Sequence, residues 1–305
     1  VGVDHRRGDT LIGFVGATSH MPDIGGVLWS ADCQEVLEEG IRILPTKLYD
    51  GGKENRELTR MIRANVRVAD QVMGDIAAQV TAQSVCARRL LEFLDDTGLE
   101  DLTELSATLQ ARADAAMRKA ISALPDGTWR HVIHADGYED METRIECAVT
   151  VKGDTLTVDY AGTSPQIARG LNSVMNYTYA YSVYPLKCAL DPDTPRNEGS
   201  YRAVTVTAPE GSILNPRYPA AVNARHLTGL FLSGAIYGCL AQVVPEKVIA
   251  DSSSPSPRPV TTGRDRRGER FSQVLFGSGG MGAGAGRDGL NATAFPTNSG
   301  SGSIE

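Results

Sequence analysis

The chain has 305 residues, of which 41% are hydrophobic and 22% charged, and its formal net charge is -7. This length can bury a sizeable core in one large domain or two ordinary ones, and the composition is that of a globular protein and not of a disordered chain. Acidic and basic residues are mixed along the chain, and no run of 18 apolar residues occurs. The sequence therefore argues against a nucleic-acid partner and against a membrane span.

The five cysteines are an odd number, are widely spaced and form no CxxC pair. This pattern argues against a disulfide framework and against a structural zinc knuckle. It indicates free thiols, which suit a reducing compartment. The N-terminal residues also lack the basic and apolar regions of a signal peptide. We therefore expect a cytoplasmic protein.

Residues 1–130 are predicted to form one region, which contains a strand, a loop and long helices. Residues 11–17 are a short apolar run, typical of a buried strand, and they lead into the loop HMPDIGG at residues 20–26. Apolar residues then recur three or four positions apart over residues 54–95 and again over residues 102–123. Each of these two patterns predicts an amphipathic helix.

Residues 131–305 are predicted to form a second, strand-rich region. Residues 144–151 and 155–160 alternate between apolar and polar side chains, which predicts a β-hairpin. Further strands are expected at residues 204–208 and 272–276. Runs of helix followed by runs of strand favour an α+β fold with mixed sheets and several long helices.

Two helices are predicted within the strand-rich region. The first covers residues 174–190, and Asn172 and Ser173 before it are expected to cap its N-terminus. The second covers residues 224–244 and is ended by Pro245.

Eight short segments together resemble the hydantoinase B/oxoprolinase family. Each is short, but all occur in the family's order over nearly the whole chain, which indicates homology. The segments are HMPDIGG at 20–26, EGIRI at 39–43 with KL at 47–48, ANVR at 64–67, LPDG at 124–127, LTVDYAGTSPQ at 156–166, PEGSILNP at 209–216, NARH at 223–226 and GGMGA at 279–283.

The resemblance implies the B-type subunit of a hydrolase that acts on a cyclic amide such as a hydantoin, 5-oxoproline or a lactam. It also implies a hetero-oligomeric assembly with a hydantoinase A type subunit, and ATP is expected on that partner and not on this chain. The chain resembles a middle portion of the family sequence. Two alternatives remain open, namely an alpha-type subunit of an acetone/acetophenone-like carboxylase and a non-catalytic scaffold subunit.

His20 and Asp23 are the candidate metal ligands. An HxxD pair in a tight loop lets an imidazole nitrogen and a carboxylate converge on one divalent ion. For an isolated pair, a hydrogen bond within the loop would be the better interpretation, but the resemblance implies a metal-binding loop and Zn or Mn as the ion. No histidine lies between His20 and His131, so other ligands would have to complete the site.

Asn223, Arg225 and His226 are the candidate substrate-binding residues. They precede or begin the second predicted helix, where they could orient a carbonyl or carboxylate group. A helix cap beside a surface arginine is an equally good interpretation. No general base or nucleophile can be assigned from spacing, so the catalytic residues stay unknown.

The glycine-rich run GSGGMGAGAG at residues 277–286 lacks the Gly-Lys-Ser/Thr ending of a phosphate-binding loop. It is therefore interpreted as a structural or active-site loop, and no cofactor-binding residues are predicted on this chain.

Overall fold

The computed structural model describes residues 2–7, 10–28, 30–252, 260–274, 278–291 and 293–294. Two predictions fall partly outside these ranges, namely the end of the strand at residues 272–276 and the first residue of the glycine-rich run. Within the described ranges, no helix is both long and apolar enough to cross a bilayer.

Helices and mixed sheets make up the described chain, which confirms the predicted α+β class. In chain order the elements are β1 (Gly2–Arg7), β2 (Thr10–Gly16), β3 (Tyr49–Asp50), β4 (Lys53–Glu54), α1 (Arg56–Asn65), α2 (Ala69–Thr97), α3 (Thr103–Ser122), β5 (Gly127–Tyr138), β6 (Met141–Lys152), β7 (Thr155–Asp159), α4 (Met175–Leu190), β8 (Val204–Thr207), α5 (Arg225–Leu240), β9 (Val260–Arg264), β10 (Arg270–Val274), β11 (Ser278–Gly279) and β12 (Thr293–Ala294).

The chain divides into two compact units that interleave in sequence. Unit 1 comprises residues 1–26, 40–108 and 261–273, and unit 2 comprises residues 27–39, 109–260 and 274–305. The predicted regions, 1–130 and 131–305, divide the chain in sequence order. Residues 27–39, called the arm below, belong to unit 2.

In unit 1, β1 and β2 form an antiparallel hairpin that packs against α2. β2 is the strand predicted at residues 11–17, but the expectation that it is buried is wrong. Leu11 and Phe14 are exposed, Phe14 to 76%. An apolar run alone cannot distinguish a strand inside a sheet from a hairpin strand that has one partner.

The helical pattern over residues 54–95 corresponds to two helices, α1 and α2, and not to one. Asn55 caps α1 by accepting a hydrogen bond from the Leu58 backbone nitrogen at 3.1 Å. α1 is followed by Val66 in an extended conformation. The next residue, Arg67, donates its backbone N–H to the Asp23 side chain. This long-range hydrogen bond replaces an intrahelical one and interrupts the helix.

Unit 2 is built on a four-stranded sheet with the order β5-β6-β7-β8. β5, β6 and β7 are successive antiparallel neighbours, whereas β7 and β8 are parallel. A parallel pair needs a crossover connection, and α4 lies in the segment that supplies it. The hairpin predicted at residues 144–160 is present as β6 and β7.

The core of unit 2 lies between this sheet and the helices α3, α4 and α5. All three helices were predicted from sequence, α3 from its apolar periodicity, and each has fully buried side chains. Each large apolar side chain contributes about 1.5–3 kcal/mol when it is withdrawn from water. Fully buried examples from the three helices and from β6 and β7 are Met117, Ile121, Val149, Val158, Leu186, Leu232 and Ile236.

The predicted cap of α4 is wrong. The helix begins at Met175 after Val174, with no side-chain hydrogen bond at its N-cap. Asn172 and Ser173 are instead fully buried, and Ser173 bonds to the Thr178 hydroxyl at 3.1 Å. The Asn172 amide nitrogen joins separate loops because it donates to three carbonyl groups, those of Ile167, Arg169 and Ala221.

The contact between Gly199 and α3 generates a stability prediction. A Cβ atom at Gly199 would collide with the backbone carbonyl of Gln110, whereas one at Gly74, inside α2, would meet nothing within 4 Å. We expect Gly199→Ala to lower the free energy of unfolding by about 1–3 kcal/mol. Gly74→Ala, the matched control, should raise it by up to about 1 kcal/mol. Urea unfolding measures both, and equal effects would contradict the close approach of Gly199 to α3.

Candidate functional site

The carboxylate of Asp23 is the centre of the HMPDIGG loop in unit 1. Its side chain is 0% exposed. Oδ1 accepts hydrogen bonds from the Gly25 backbone nitrogen at 2.9 Å and from the Arg67 guanidinium at 2.8 Å, and Oδ2 accepts from the Arg67 backbone nitrogen. The same guanidinium donates to the Gly26 carbonyl at 2.5 Å. Donors of the chain itself therefore satisfy this buried charge and close the loop.

His20, the second candidate metal ligand, is exposed in the same loop. Among the described residues, no group of three or more His, Cys, Asp or Glu side chains could hold a metal ion. The donors present therefore do not make a complete ligand set, and Asp23 is already neutralised by Arg67. Metal binding at His20 and Asp23 stays a prediction.

The candidate substrate residues lie in unit 2, at the start of α5. Arg225 is the first residue of the helix, and Ala224 is its N-cap, without a side-chain hydrogen bond. The cap interpretation of Asn223 is therefore wrong. The Arg225 guanidinium donates to the Val222 carbonyl at 3.2 Å. His226 follows in the first helical turn and is half-buried.

The Arg225 side chain packs against the ring of Tyr177. The guanidinium carbon lies 5.4 Å from the centre of the Tyr177 ring, within cation–π range. Tyr177 in turn stacks on Tyr181, with ring centres 4.3 Å apart. Both tyrosines are on α4. The arginine is thus oriented by contacts that leave its planar array of N–H donors able to bind an oxygen group.

Asn223 faces the arm of residues 27–39. Its side-chain nitrogen donates to the Val27 carbonyl at 2.8 Å and approaches the Cys33 sulfur at 3.9 Å. This amide group therefore holds the arm in place, and its role in substrate binding stays a prediction.

Glu39 is the residue that sequence reasoning missed. Its Oε1 atom accepts hydrogen bonds from the backbone nitrogens of Val222 and Asn223, the second at 2.8 Å. The only signal in the sequence was the position of Glu39 in the EGIRI segment, to which no role had been given. The structure thus brings an acidic side chain to the turn that precedes Arg225.

Burial affects the ionisation of both polar arm residues beside this turn. It raises the pKa of the Glu39 carboxyl, while the N–H groups of Val222 and Asn223 and the positive charge of Arg225 act in the opposite direction. Burial also raises the pKa of the Cys33 thiol. Cys33 is therefore protonated at neutral pH and lacks the thiolate that a nucleophile needs.

The described part of the glycine-rich run is held by backbone pairing. The Ala283 carbonyl accepts from the Ala250 nitrogen at 2.8 Å, and the Met281 nitrogen donates to the Leu290 carbonyl at 2.8 Å. Residues 278–291 contain no helix, whereas a phosphate-binding loop opens one. These contacts are in keeping with a structural loop.

The chain is similar to proteins of one family. The hydantoinase B/oxoprolinase profile matches residues 3–305. The B-type chain of a putative D-/L-hydantoinase from Pseudomonas sp. (strain NS671) is 34% identical over 259 residues, which are 79% of this chain and 44% of that protein.

Two solved structures share the fold. The ATP-dependent caprolactamase from Pseudomonas jessenii superposes with a TM-score of 0.81 at 29% identity, over 89% of this chain and 48% of that one. Nucleotide-free acetone carboxylase superposes with a TM-score of 0.85 over 96% of this chain and 42% of that one. Its identity is 19%, so that this likeness shows the fold alone. The chain spans about half the length of these relatives.

The contacts of Asp23 predict that it is needed for stability whether or not a metal binds. Asp23→Ala should lower the free energy of unfolding by about 2–3 kcal/mol, because charged hydrogen bonds to Arg67 are lost. The loss is measured in the presence of a chelator, so that it reports the hydrogen bonds of Asp23 and not a bound metal.

The metal hypothesis separately predicts that His20→Ala lowers the metal content by elemental analysis, with His134→Ala as the control. Equal metal content in wild type and both histidine variants would remove His20 as a ligand.

The raised pKa of Glu39 predicts a pH-dependent stability. The folded chain favours the protonated form of this carboxyl, so the stability of the wild type falls as the pH rises from the ordinary Glu range through the raised pKa. Glu39→Gln cannot ionise and should gain stability over the wild type in that window. Urea midpoints at pH 4.5 and 7.5 test this, with Glu38→Gln as the control. A larger advantage at pH 4.5 would contradict the assignment.

Proposed function

Because the chain belongs to the hydantoinase B/oxoprolinase family, we propose that it acts as a B-type subunit, or as part of one, in the ATP-dependent hydrolysis of a cyclic amide. The observation that carries this proposal is its similarity to the B-type chain of a putative D-/L-hydantoinase. The fold shared with an ATP-dependent caprolactamase supports the same reaction class. The proposed substrates are hydantoins, 5-oxoproline and lactams.

The proposed reaction cleaves a resonance-stabilised C–N bond. Water attacks such a carbonyl slowly, so the enzyme has to polarise it or activate it. In the proposal, a hydantoinase A type partner binds ATP and uses it to phosphorylate the carbonyl oxygen, while this chain binds and orients the ring.

Arg225 is the proposed contact to the substrate. A guanidinium presents N–H donors in a planar fork that matches a carbonyl or carboxylate group. Its place over Tyr177 and beside the Val222 carbonyl supports this role, because a prepositioned donor loses less entropy on binding. Asn223 and His226, which flank it, belong to the same proposed binding surface.

Metal dependence is part of the proposal, with His20 and Asp23 offered as ligands to Zn or Mn. A bound divalent ion would polarise the carbonyl and lower the pKa of a bound water molecule. Arg67 already pairs with Asp23, and the described residues lack a complete ligand set. We therefore assign no reaction step to a metal.

The proposal is tested in the assembled enzyme. The chain is co-expressed with an A-type partner, and hydrolysis of 5-oxoproline, hydantoin and caprolactam is followed with and without ATP. We expect ATP-dependent ring opening of one of them. Arg225→Ala should lower kcat/KM about tenfold to a hundredfold, as expected for the loss of a charged hydrogen bond. Arg89→Ala, which removes an exposed arginine of α2, is the control.

The same assay separates the alternatives. Consumption of bicarbonate and a ketone without ring opening would favour a carboxylase. An active complex in which Arg225→Ala and His20→Ala both behave like the wild type would favour a scaffold role for this chain. Ring opening by this chain without partner or ATP would contradict the two-subunit assembly and leave the amide-hydrolysis proposal intact.

A further inference from the structure

The arm of residues 27–39 is a closed loop that packs against the rest of unit 2. Its two ends are joined by a hydrogen bond from the Val27 nitrogen to the Glu38 carbonyl at 3.0 Å. Along its second half, the Val36 nitrogen donates to the Pro219 carbonyl at 2.7 Å. The end of the arm is therefore held next to the segment that leads into α5.

Glu39, the last residue of the arm, accepts hydrogen bonds from the turn before α5. One oxygen of its carboxylate accepts from two consecutive backbone nitrogens, those of Val222 and Asn223. Consecutive N–H groups converge on one acceptor only in a restricted set of turn conformations. The position of this oxygen therefore selects the conformation of the turn.

Val222 connects Glu39 to Arg225. Its N–H is held by Glu39, and its carbonyl oxygen accepts from both the backbone nitrogen and the guanidinium of Arg225, at 3.1 and 3.2 Å. The Val222 carbonyl and the Asn223 N–H belong to one planar peptide group, so fixing the Asn223 N–H on Glu39 also constrains the direction of the carbonyl. The guanidinium is thus oriented through Val222 by a carboxylate that lies 183 residues away along the chain.

We propose that Glu39 is a positioning residue for substrate binding: it holds the turn at residues 222–223 so that the Arg225 guanidinium is aimed at an oxygen group of the substrate. The proposal rests on the proposed function in assigning Arg225 to the substrate, and Glu39 itself does not contact the substrate. What the turn needs is an acceptor atom at this place and not a negative charge, because burial disfavours the ionised form of Glu39.

Hydrogen exchange of the full chain tests the hydrogen bonds of Glu39 to the turn and does not require an active enzyme. Glu39→Ala should raise the exchange rates of the Val222 and Asn223 amides about tenfold, the effect expected when a hydrogen bond is lost. Glu39→Gln keeps the acceptor oxygen and should keep both amides protected. Glu38→Ala is the matched control, because the Glu38 carboxylate accepts from the Gln34 nitrogen within the arm. If Glu39→Ala folds poorly, Glu39→Asp withdraws the acceptor by one methylene and should expose the same amides.

Kinetics of the assembled enzyme with a cyclic amide separate positioning from a merely structural role. Glu39→Ala should raise KM about tenfold with little change in kcat, the pattern of lost substrate binding, and Glu39→Gln should restore KM. A fall in the active fraction at unchanged KM would overturn the positioning role. Unchanged exchange in Glu39→Ala would overturn the proposal whatever the activity. If exchange rises as expected but the enzyme opens no cyclic amide, the hydrogen bonds of Glu39 to the turn are supported and the proposed function is contradicted.

Discussion

A carboxylate that is withdrawn from water must find hydrogen-bond donors, and each of the two loops with a predicted function is organised around such a group. In unit 1, Asp23 binds Arg67 through both the backbone and the guanidinium, and this contact also interrupts the helical pattern between α1 and α2. In unit 2, Glu39 binds the turn before α5. The conformation of each loop therefore depends on one side chain that supplies acceptors at a fixed place.

The parts of the fold that could be predicted from sequence are those that local patterns determine. The helix α3 and the hairpin of β6 and β7 carry apolar periods that match their structure, because one face of each packs into the core. The segments that form α4 and α5 are also predicted to be helical. The errors have non-local causes. Arg67 ends a helix because Asp23 takes its N–H, and Asn172 is not a cap because three carbonyls surround its amide.

The candidate site shows the same division. Arg225 and Asn223 could be named as candidates because they stand in a recognisable segment at the start of a helix. Glu39 stands in another such segment, but its role depends on a contact with Val222 that no local pattern encodes. Nor could sequence alone reveal that the Asn223 amide is engaged by the Val27 carbonyl, or that Arg67 already neutralises Asp23.

The arm and the turn at residues 222–223 lie far apart in the sequence, which has a consequence for synthesis on the ribosome. The arm has emerged long before Val222 and Asn223 are translated, and at roughly 5–20 residues per second the interval is on the order of ten to forty seconds. During this time the contact of Cys33 with Asn223 cannot form, although Cys33 is 1% exposed in the folded chain. The nascent chain therefore passes through a period in which a thiol that is inert in the finished protein is open to oxidation and to chaperones.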